Sequence, residues 1–77
     1  MLRTTVPISD IIKVERFFAN HDGVCCIMFN KKDKSFYLYF RNSKEEWEVL
    51  PNINIKIDVI KYLVRNGFLI YKEGVFF

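Results

Sequence analysis

The stretch from residue 24 to residue 40, VCCIMFNKKDKSFYLYF, constrains the fold more than any other part of the chain. Two apolar runs are joined by a short, highly charged connector, and this pattern is typical of a β-hairpin. We predict strands at residues 24–30 and 36–41, with a polar turn at residues 31–35 between them. The remaining segments are expected to pack around this hairpin.

Both faces of the predicted hairpin are apolar. One face would carry Cys25, Ile27, Phe29, Phe36, Leu38 and Phe40, and the other Val24, Cys26, Met28, Tyr37, Tyr39 and Arg41. An antiparallel sheet with one side in water alternates more cleanly between apolar and polar residues. We therefore expect either that helices cover both faces or that the second face contacts another molecule.

An amphipathic helix is predicted before the hairpin, from Ser9 to Asn20, after a short lead at residues 1–6. Its apolar positions recur at helical spacing: Ile11, Val14, Phe17 and Phe18. The Ser9 hydroxyl is expected to cap the first turn, and Gly23 to take the left-handed conformation of a helix exit.

A second helix is predicted within residues 52–66, with Asn54 as its N-cap and Gly67 as its stop. Its expected buried stripe comprises Ile57, Ile60, Leu63 and Val64. The alternation of isoleucines at 53, 55 and 57 also fits a strand, so the start of the helix is open. We then expect a strand at residues 68–71, a turn at 72–74 and a returning segment at 75–77.

The segment from Asn42 to Leu50 fits two structures. Ser43 followed by Glu46 matches a capping box, which would start a helix at residue 44. The alternation of glutamates with Trp47 and Val49 fits a strand instead. We favour the strand because three strands are more stable than a lone hairpin. Pro51 is expected to end either element.

These elements predict one small α+β domain spanning residues 1–77. Its centre would be a three-stranded antiparallel meander flanked by an N-terminal and a C-terminal helix, with a short C-terminal strand or hairpin. A chain of 77 residues buries only roughly 60% of its unfolded surface, yet 51% of this one is hydrophobic. Part of the apolar surface is therefore expected at an interface.

Few residues of the chain suggest chemistry. Cys25 and Cys26 would point to opposite faces of a strand, so they are expected to be reduced packing residues. His21 is the only histidine and lacks the spacing of a metal site. We predict a non-enzymatic protein without cofactor or metal. Two cysteines, no bilayer-length apolar run and no signal-peptide core indicate a cytoplasmic protein.

The leading hypothesis is a protein-binding or regulatory module that forms a homodimer or docks on a larger protein. Its contact residues would be Val24, Cys26, Met28, Tyr37, Tyr39, Val75, Phe76 and Phe77. The alternative is a small nucleic-acid-binding protein, since alternate aromatic residues beside cations can stack and hold a single strand. That site would use Lys31, Lys32, Lys34, Tyr37, Tyr39 and Arg41. The net charge of +3 is compatible with either hypothesis.

Two parts of the chain resemble nucleic-acid-binding families. The order helix, three strands, helix resembles the double-stranded-RNA-binding domain, although NINIKID stands where that family has a basic Lys-Lys-x-Ala-Lys stretch. The last quarter, DVIKYLVRNGFLIYKEGVFF, resembles the helix and wing of a winged-helix domain through Leu63, Gly67, Phe68 and Leu69. Either resemblance would imply nucleic-acid binding.

Overall fold

The computed structural model of the chain describes residues 6–77, apart from the side chain of Asn52. The predicted α+β class is confirmed, with two α-helices and a five-stranded antiparallel sheet in the order β3-β2-β1-β5-β4. The elements are α1 (Ile8–Asn20), β1 (Cys25–Asn30), β2 (Ser35–Arg41), β3 (Trp47–Ile55), α2 (Ile57–Arg65), β4 (Tyr71–Lys72) and β5 (Val75–Phe76). Residues 1–5 of the expected lead lie outside the described residues.

The central hairpin forms as predicted. Its register runs from Cys25 opposite Phe40 to Asn30 opposite Ser35. The side-chain oxygen of Asn30 accepts hydrogen bonds from the backbone amides of Lys32 (2.9 Å) and Asp33 (3.2 Å). These bonds satisfy backbone amides of the turn, so the side chain of the last β1 residue closes the hairpin.

The ambiguous segment at residues 42–50 becomes a turn followed by a strand. The side-chain oxygen of Asn42 accepts hydrogen bonds from the backbone amides of Lys44 (2.8 Å) and Glu46 (3.0 Å). Glu45, between them, has a positive φ of 60°. This side chain offers the backbone an alternative to a helical turn, so the capping-box helix does not form. The favoured strand is present, but it begins at Trp47.

The predicted break at Pro51 is wrong, because β3 continues through it to Ile55. A proline is tolerated there since β3 is an edge strand and its pairing is irregular at that point. The predicted N-cap at Asn54 is wrong as well. Asn54 pairs with Tyr37, and α2 begins at Ile57 after an extended Lys56.

The predicted end of α2 is confirmed, but the predicted cap and exit of α1 are not. Ser9 does not cap α1, because the helix already begins at Ile8 and the Pro7 carbonyl accepts the first helical amides. The predicted left-handed exit at Gly23 is also wrong, since only Gly67 and Gly74 among the described glycines have positive φ. At α2 the predicted glycine stop is confirmed.

The C-terminal segment forms a tight hairpin that belongs to the main sheet. Glu73 (φ 51°) and Gly74 (φ 85°) form the two-residue turn, and positive φ at both positions is what a type I′ turn requires. β4 is Tyr71–Lys72, so the strand predicted at residues 68–71 starts later. β5 pairs with β1, which places the aromatic tail on the chain's own sheet.

A single core lies between the helices and one face of the sheet. It comprises Ile11, Val14, Ile27, Leu38, Ile55, Val59, Ile60, Leu63 and Leu69. Burying each such side chain fully stabilises the fold by roughly 1.5–3 kcal/mol before entropic costs. The prediction that Ile57 and Val64 are buried is wrong, because α2 turns Val59, Ile60 and Leu63 to the sheet.

Candidate interaction face

Both helices pack on the same side of the sheet. The core contains residues of α1, of α2 and of the face that carries Ile27 and Leu38. Of the residues that the structure describes, none from either helix belongs to the opposite side. We call that side the open face, and it comprises Val24, Cys26, Met28, Tyr37, Tyr39, Arg41, Trp47, Val49, Asn54, Ile70, Lys72, Val75 and Phe77.

An unbroken apolar row crosses the open face from one edge to the other. We call it the middle row, and in strand order it comprises Val49, Tyr39, Cys26, Phe77 and Ile70. Cys26 pairs with Tyr39, and Tyr39 with Val49. Continuing the β1–β5 register by one residue brings Phe77 beside Cys26, and Phe77 exchanges two 2.9 Å backbone hydrogen bonds with Ile70. All five strands thus contribute, or adjoin, one apolar stripe.

The centre and the ends of the middle row differ in exposure. Cys26 is fully buried although it lies on the open face, between Tyr39 and Phe77 in the row. Ile70 is 69% exposed, and Val49 and Phe77 are exposed as well. The row therefore has a closed centre and apolar ends in contact with solvent.

A second row at one end of the open face joins Val24, Arg41 and Trp47. Arg41 pairs with Trp47, and its guanidinium carbon lies 4.8 Å from the centroid of the indole ring. At this distance a cation is attracted to the ring face, so the guanidinium and the indole lie together at this end of the open face. Val24 follows in the same row, since its carbonyl accepts the Arg41 amide at 2.9 Å.

The third row contains Met28, Tyr37 and Val75, with Lys72 and Asn54 at its ends. The Tyr37 hydroxyl donates a hydrogen bond of 2.9 Å to the carboxylate of Asp33 in the turn. This bond raises the pKa of the Tyr37 phenol above its ordinary value, because it favours the protonated hydroxyl. Tyr37 is thereby held against the hairpin tip.

Most of the residues proposed for a protein interface lie on the open face, with one exception. Phe76 belongs to the helix side, where its ring centroid lies 6.0 Å from that of Phe36 and 4.9 Å from that of Tyr71. Phe76 therefore lies outside the open face, since adjacent residues of a strand point to opposite faces. Sequence reasoning did not assign Trp47, Val49 or Ile70 to the surface, because the pairing of β3 and β4 fixes their side.

The residues proposed for nucleic-acid binding are divided between the sheet and the turn. Tyr37, Tyr39 and Arg41 share the open face, as their alternation predicted. The lysines lie in the exposed turn at the end of the third row, at positions 31, 32 and 34. Asp33 lies among them and accepts the Tyr37 hydroxyl, so a carboxylate stands between these cations and the aromatic rings.

The two cysteines and His21, which the sequence offers for chemistry, each lie opposite or against an aromatic residue. Burial raises the pKa of both cysteines, that of Cys26 to about 11, where the proximity of Cys25 adds to the effect. Their thiols thus stay protonated and weakly nucleophilic at neutral pH. His21 stacks on Phe17 at 5.4 Å. Residues 6–77 contain no group of three His, Cys, Asp or Glu side chains that could hold a metal.

Comparison with protein-family models, curated proteins and solved structures gives no match. Within the part of the chain that the structure describes, neither helix is both long and apolar enough to cross a membrane.

Proposed function

We propose that this chain is a protein-binding module that pairs with a second copy of itself through the open face. The observation that carries the proposal is the middle row, an apolar stripe that crosses the sheet opposite the helices. A sheet face of this composition is normally covered by a second layer. The described residues contribute no second layer, so another molecule is the natural cover.

The size of the open face agrees with a modest dimer. Five strands that each occupy about 4.8 Å make a sheet about 24 Å wide, and a seven-residue strand such as β2 is about 23 Å long. The area of this outline is reduced further where β4 and β5 are only two residues long. It is smaller than the roughly 800 Å² per partner that a standard interface buries. We therefore expect an exchangeable dimer with a dissociation constant in the micromolar range.

A second copy fits the chemistry of the face. A two-fold axis brings the same patch of both subunits together, so one apolar row meets another apolar row. The two charged side chains of the face, Arg41 and Lys72, lie outside the middle row, in different rows and on different strands. Facing sheets interdigitate their side chains about 10 Å apart, and the exposed ends of the row would then become buried.

The test is a pair of matched charge substitutions. Val49→Lys places a cation in the middle row, and Val64→Lys places one on α2; these valines are 38% and 36% exposed, respectively. Light scattering should report loss of the dimer in Val49→Lys and its retention in Val64→Lys. Equal masses for both variants and the parent at every concentration would refute the proposal, provided that both variants keep the parent's circular dichroism spectrum.

A second candidate function is single-stranded nucleic-acid binding. It is favoured by the fact that both charged side chains of the open face, Arg41 and Lys72, are cations. Tyr39 is a partly exposed ring on which a base could stack, and the turn lysines would contact phosphates. The apolar ends of the middle row give a nucleic acid nothing to bind, which is why we rank this function second.

The two functions differ in their response to salt. A fluorescent single-stranded oligonucleotide should lose affinity steeply between about 50 and 200 mM salt, because binding releases counterions. Tyr39→Ala should weaken it by about 1–3 kcal/mol if a base stacks on the ring. An apolar dimer should persist over the same range. Salt-sensitive oligonucleotide binding together with a monomeric mass would favour the second function and exclude the first.

A further inference from the structure

A shallow, open groove lies on the helix side of the sheet, away from the open face. It runs between α1 and strands β2 and β3, has a volume of about 440 Å³ and is lined by Lys13, Arg16, Phe17, Asn20, His21 and Ile53. We call it the α1 groove. We propose that it binds a small molecule in which a flat apolar body carries one anionic group.

The irregular pairing of β3 explains why a groove exists at this edge. Tyr37 pairs with Asn54, and Tyr39 pairs with Val49. Between these two pairs β2 advances by two residues and β3 by five, so β3 carries three extra residues at this point. Such an insertion bends the longer strand away from its partner. Ile53 lies in this bend and stays only partly buried, beside the core residue Leu38. The edge strand and α1 thus form two walls with an apolar base between them.

Two of the groove's lining residues, Phe17 and His21, form a preformed aromatic pair that Phe40 supports from outside the lining. The His21 and Phe17 rings stack at 5.4 Å with an interplanar angle of 16°. The ring of Phe40 packs against both of them, with its centroid 5.1 Å from that of His21 and 6.3 Å from that of Phe17. Because these rings already hold one another in place, a flat ligand could pack against them without first ordering them.

The charge of the groove selects an anion. Lys13 and Arg16 are three residues apart on α1, so both lie on the wall that faces the groove. None of its lining residues is a carboxylate. Glu48 is the nearest carboxylate that the strand register indicates, opposite Phe40, and it accepts a 2.7 Å hydrogen bond from the Asn42 amide. An apolar base with a few convergent polar groups is the usual form of a small-molecule site.

The test uses 2-naphthoate as the probe and 2-naphthalenemethanol as its neutral counterpart. Amide chemical shifts should move along the α1 groove when naphthoate is added to the full chain. The alcohol should bind about tenfold more weakly, since it keeps the rings but loses the attraction to both cations. Shift changes confined to the open face, or equal affinity for the alcohol, would overturn the proposal.

Two exposed arginines provide a matched pair of variants. Arg16→Gln removes a cation from the groove and should weaken naphthoate binding by about threefold to fivefold, the upper range for an exposed ion pair. Arg65→Gln removes a cation from the last turn of α2, outside the groove, and should leave binding unchanged. Equal affinities for both variants would refute the role of charge. Val49→Lys should bind naphthoate like the parent, which separates this site from the dimer.

Discussion

Ile70 offers the sharpest test of the open face. It is 69% exposed and lies at one end of the middle row, so replacing it removes few contacts within the monomer. Ile8, at the start of α1, is 70% exposed and lies on the helix side of the molecule. The substitutions Ile70→Asn and Ile8→Asn therefore make the same chemical change at the same exposure on opposite sides.

The expected effect follows from the area that a dimer would bury. Fully burying an isoleucine side chain is worth about 1.5–3 kcal/mol, so burying the exposed 69% of Ile70 contributes about 1–2 kcal/mol per copy. A two-fold dimer contains the contact twice, which gives about 2–4 kcal/mol. Ile70→Asn should accordingly raise the dissociation constant by about 30- to 900-fold.

Sedimentation velocity over a concentration series measures this constant directly. Ile8→Asn should dissociate like the parent, and Ile70→Asn should stay monomeric at concentrations where the parent is dimeric. A change of less than threefold for Ile70→Asn would refute our account of the open face. Equal weakening by both substitutions would do so as well, because the effect would then not depend on the side of the sheet.

Three further predictions concern the fold and its titrating groups. Gly67→Ala should destabilise the domain by about 1–2 kcal/mol, because φ is +80° there, and so lower its melting temperature by about 4–16 °C. Gly23→Ala, at a position without a positive φ, should not, and equal losses in thermal denaturation would contradict this. The raised pKa of Tyr37 means that its hydrogen bond stabilises the folded state below about pH 10 and is lost as the pH rises through the higher folded pKa. Asp33→Asn should lower this pKa toward 10.0 in a ¹³C NMR titration of the ring, and an unchanged value would show that the bond is absent in solution. Cys26, fully buried and with a pKa of about 11, should resist iodoacetamide at pH 8 until urea unfolds the chain, and rapid reaction of the native protein would contradict its burial.

The sequence predicted best where a local pattern alone decides the structure. The period of two predicted the faces of the central hairpin, including the shared side of Tyr37 and Tyr39. The Asn66–Gly67 stop of α2 was predictable because only a residue that tolerates positive φ fits there.

The errors lie where tertiary context decides. Pro51 breaks a central strand but is accepted at an irregular edge, and the sequence does not tell which strand is at the edge. The isoleucines at 53, 55 and 57 fit the periods of both a strand and a helix. The N-cap was therefore predicted at Asn54, whereas the helix begins at Ile57. The pairing of β5 with β1 was equally hidden, since no local signal specifies a partner so distant in the chain.

The same limit applies to the candidate interaction face. The hairpin sequence indicated that both of its apolar faces need to be packed against something. It did not indicate whether the two helices pack on the same face or on opposite faces. Their common side depends on the packing of Val14 and Leu63 into one core with Leu38. Only that packing, and the pairing of the edge strands, assembles the middle row.

The most direct test of the central claim is an isotope-filtered NOE measurement on a mixture of ¹³C-labelled and unlabelled chains. We predict intermolecular NOEs that connect the methyl groups of Met28, Val49 and Ile70 with the rings of Tyr39 and Phe77 of the other copy. The mass in the same sample should be twice 9.3 kDa. Intermolecular NOEs from Ile8 or Val64 instead, or a mass that stays at 9.3 kDa at millimolar concentration, would contradict the proposal that the open face pairs with itself.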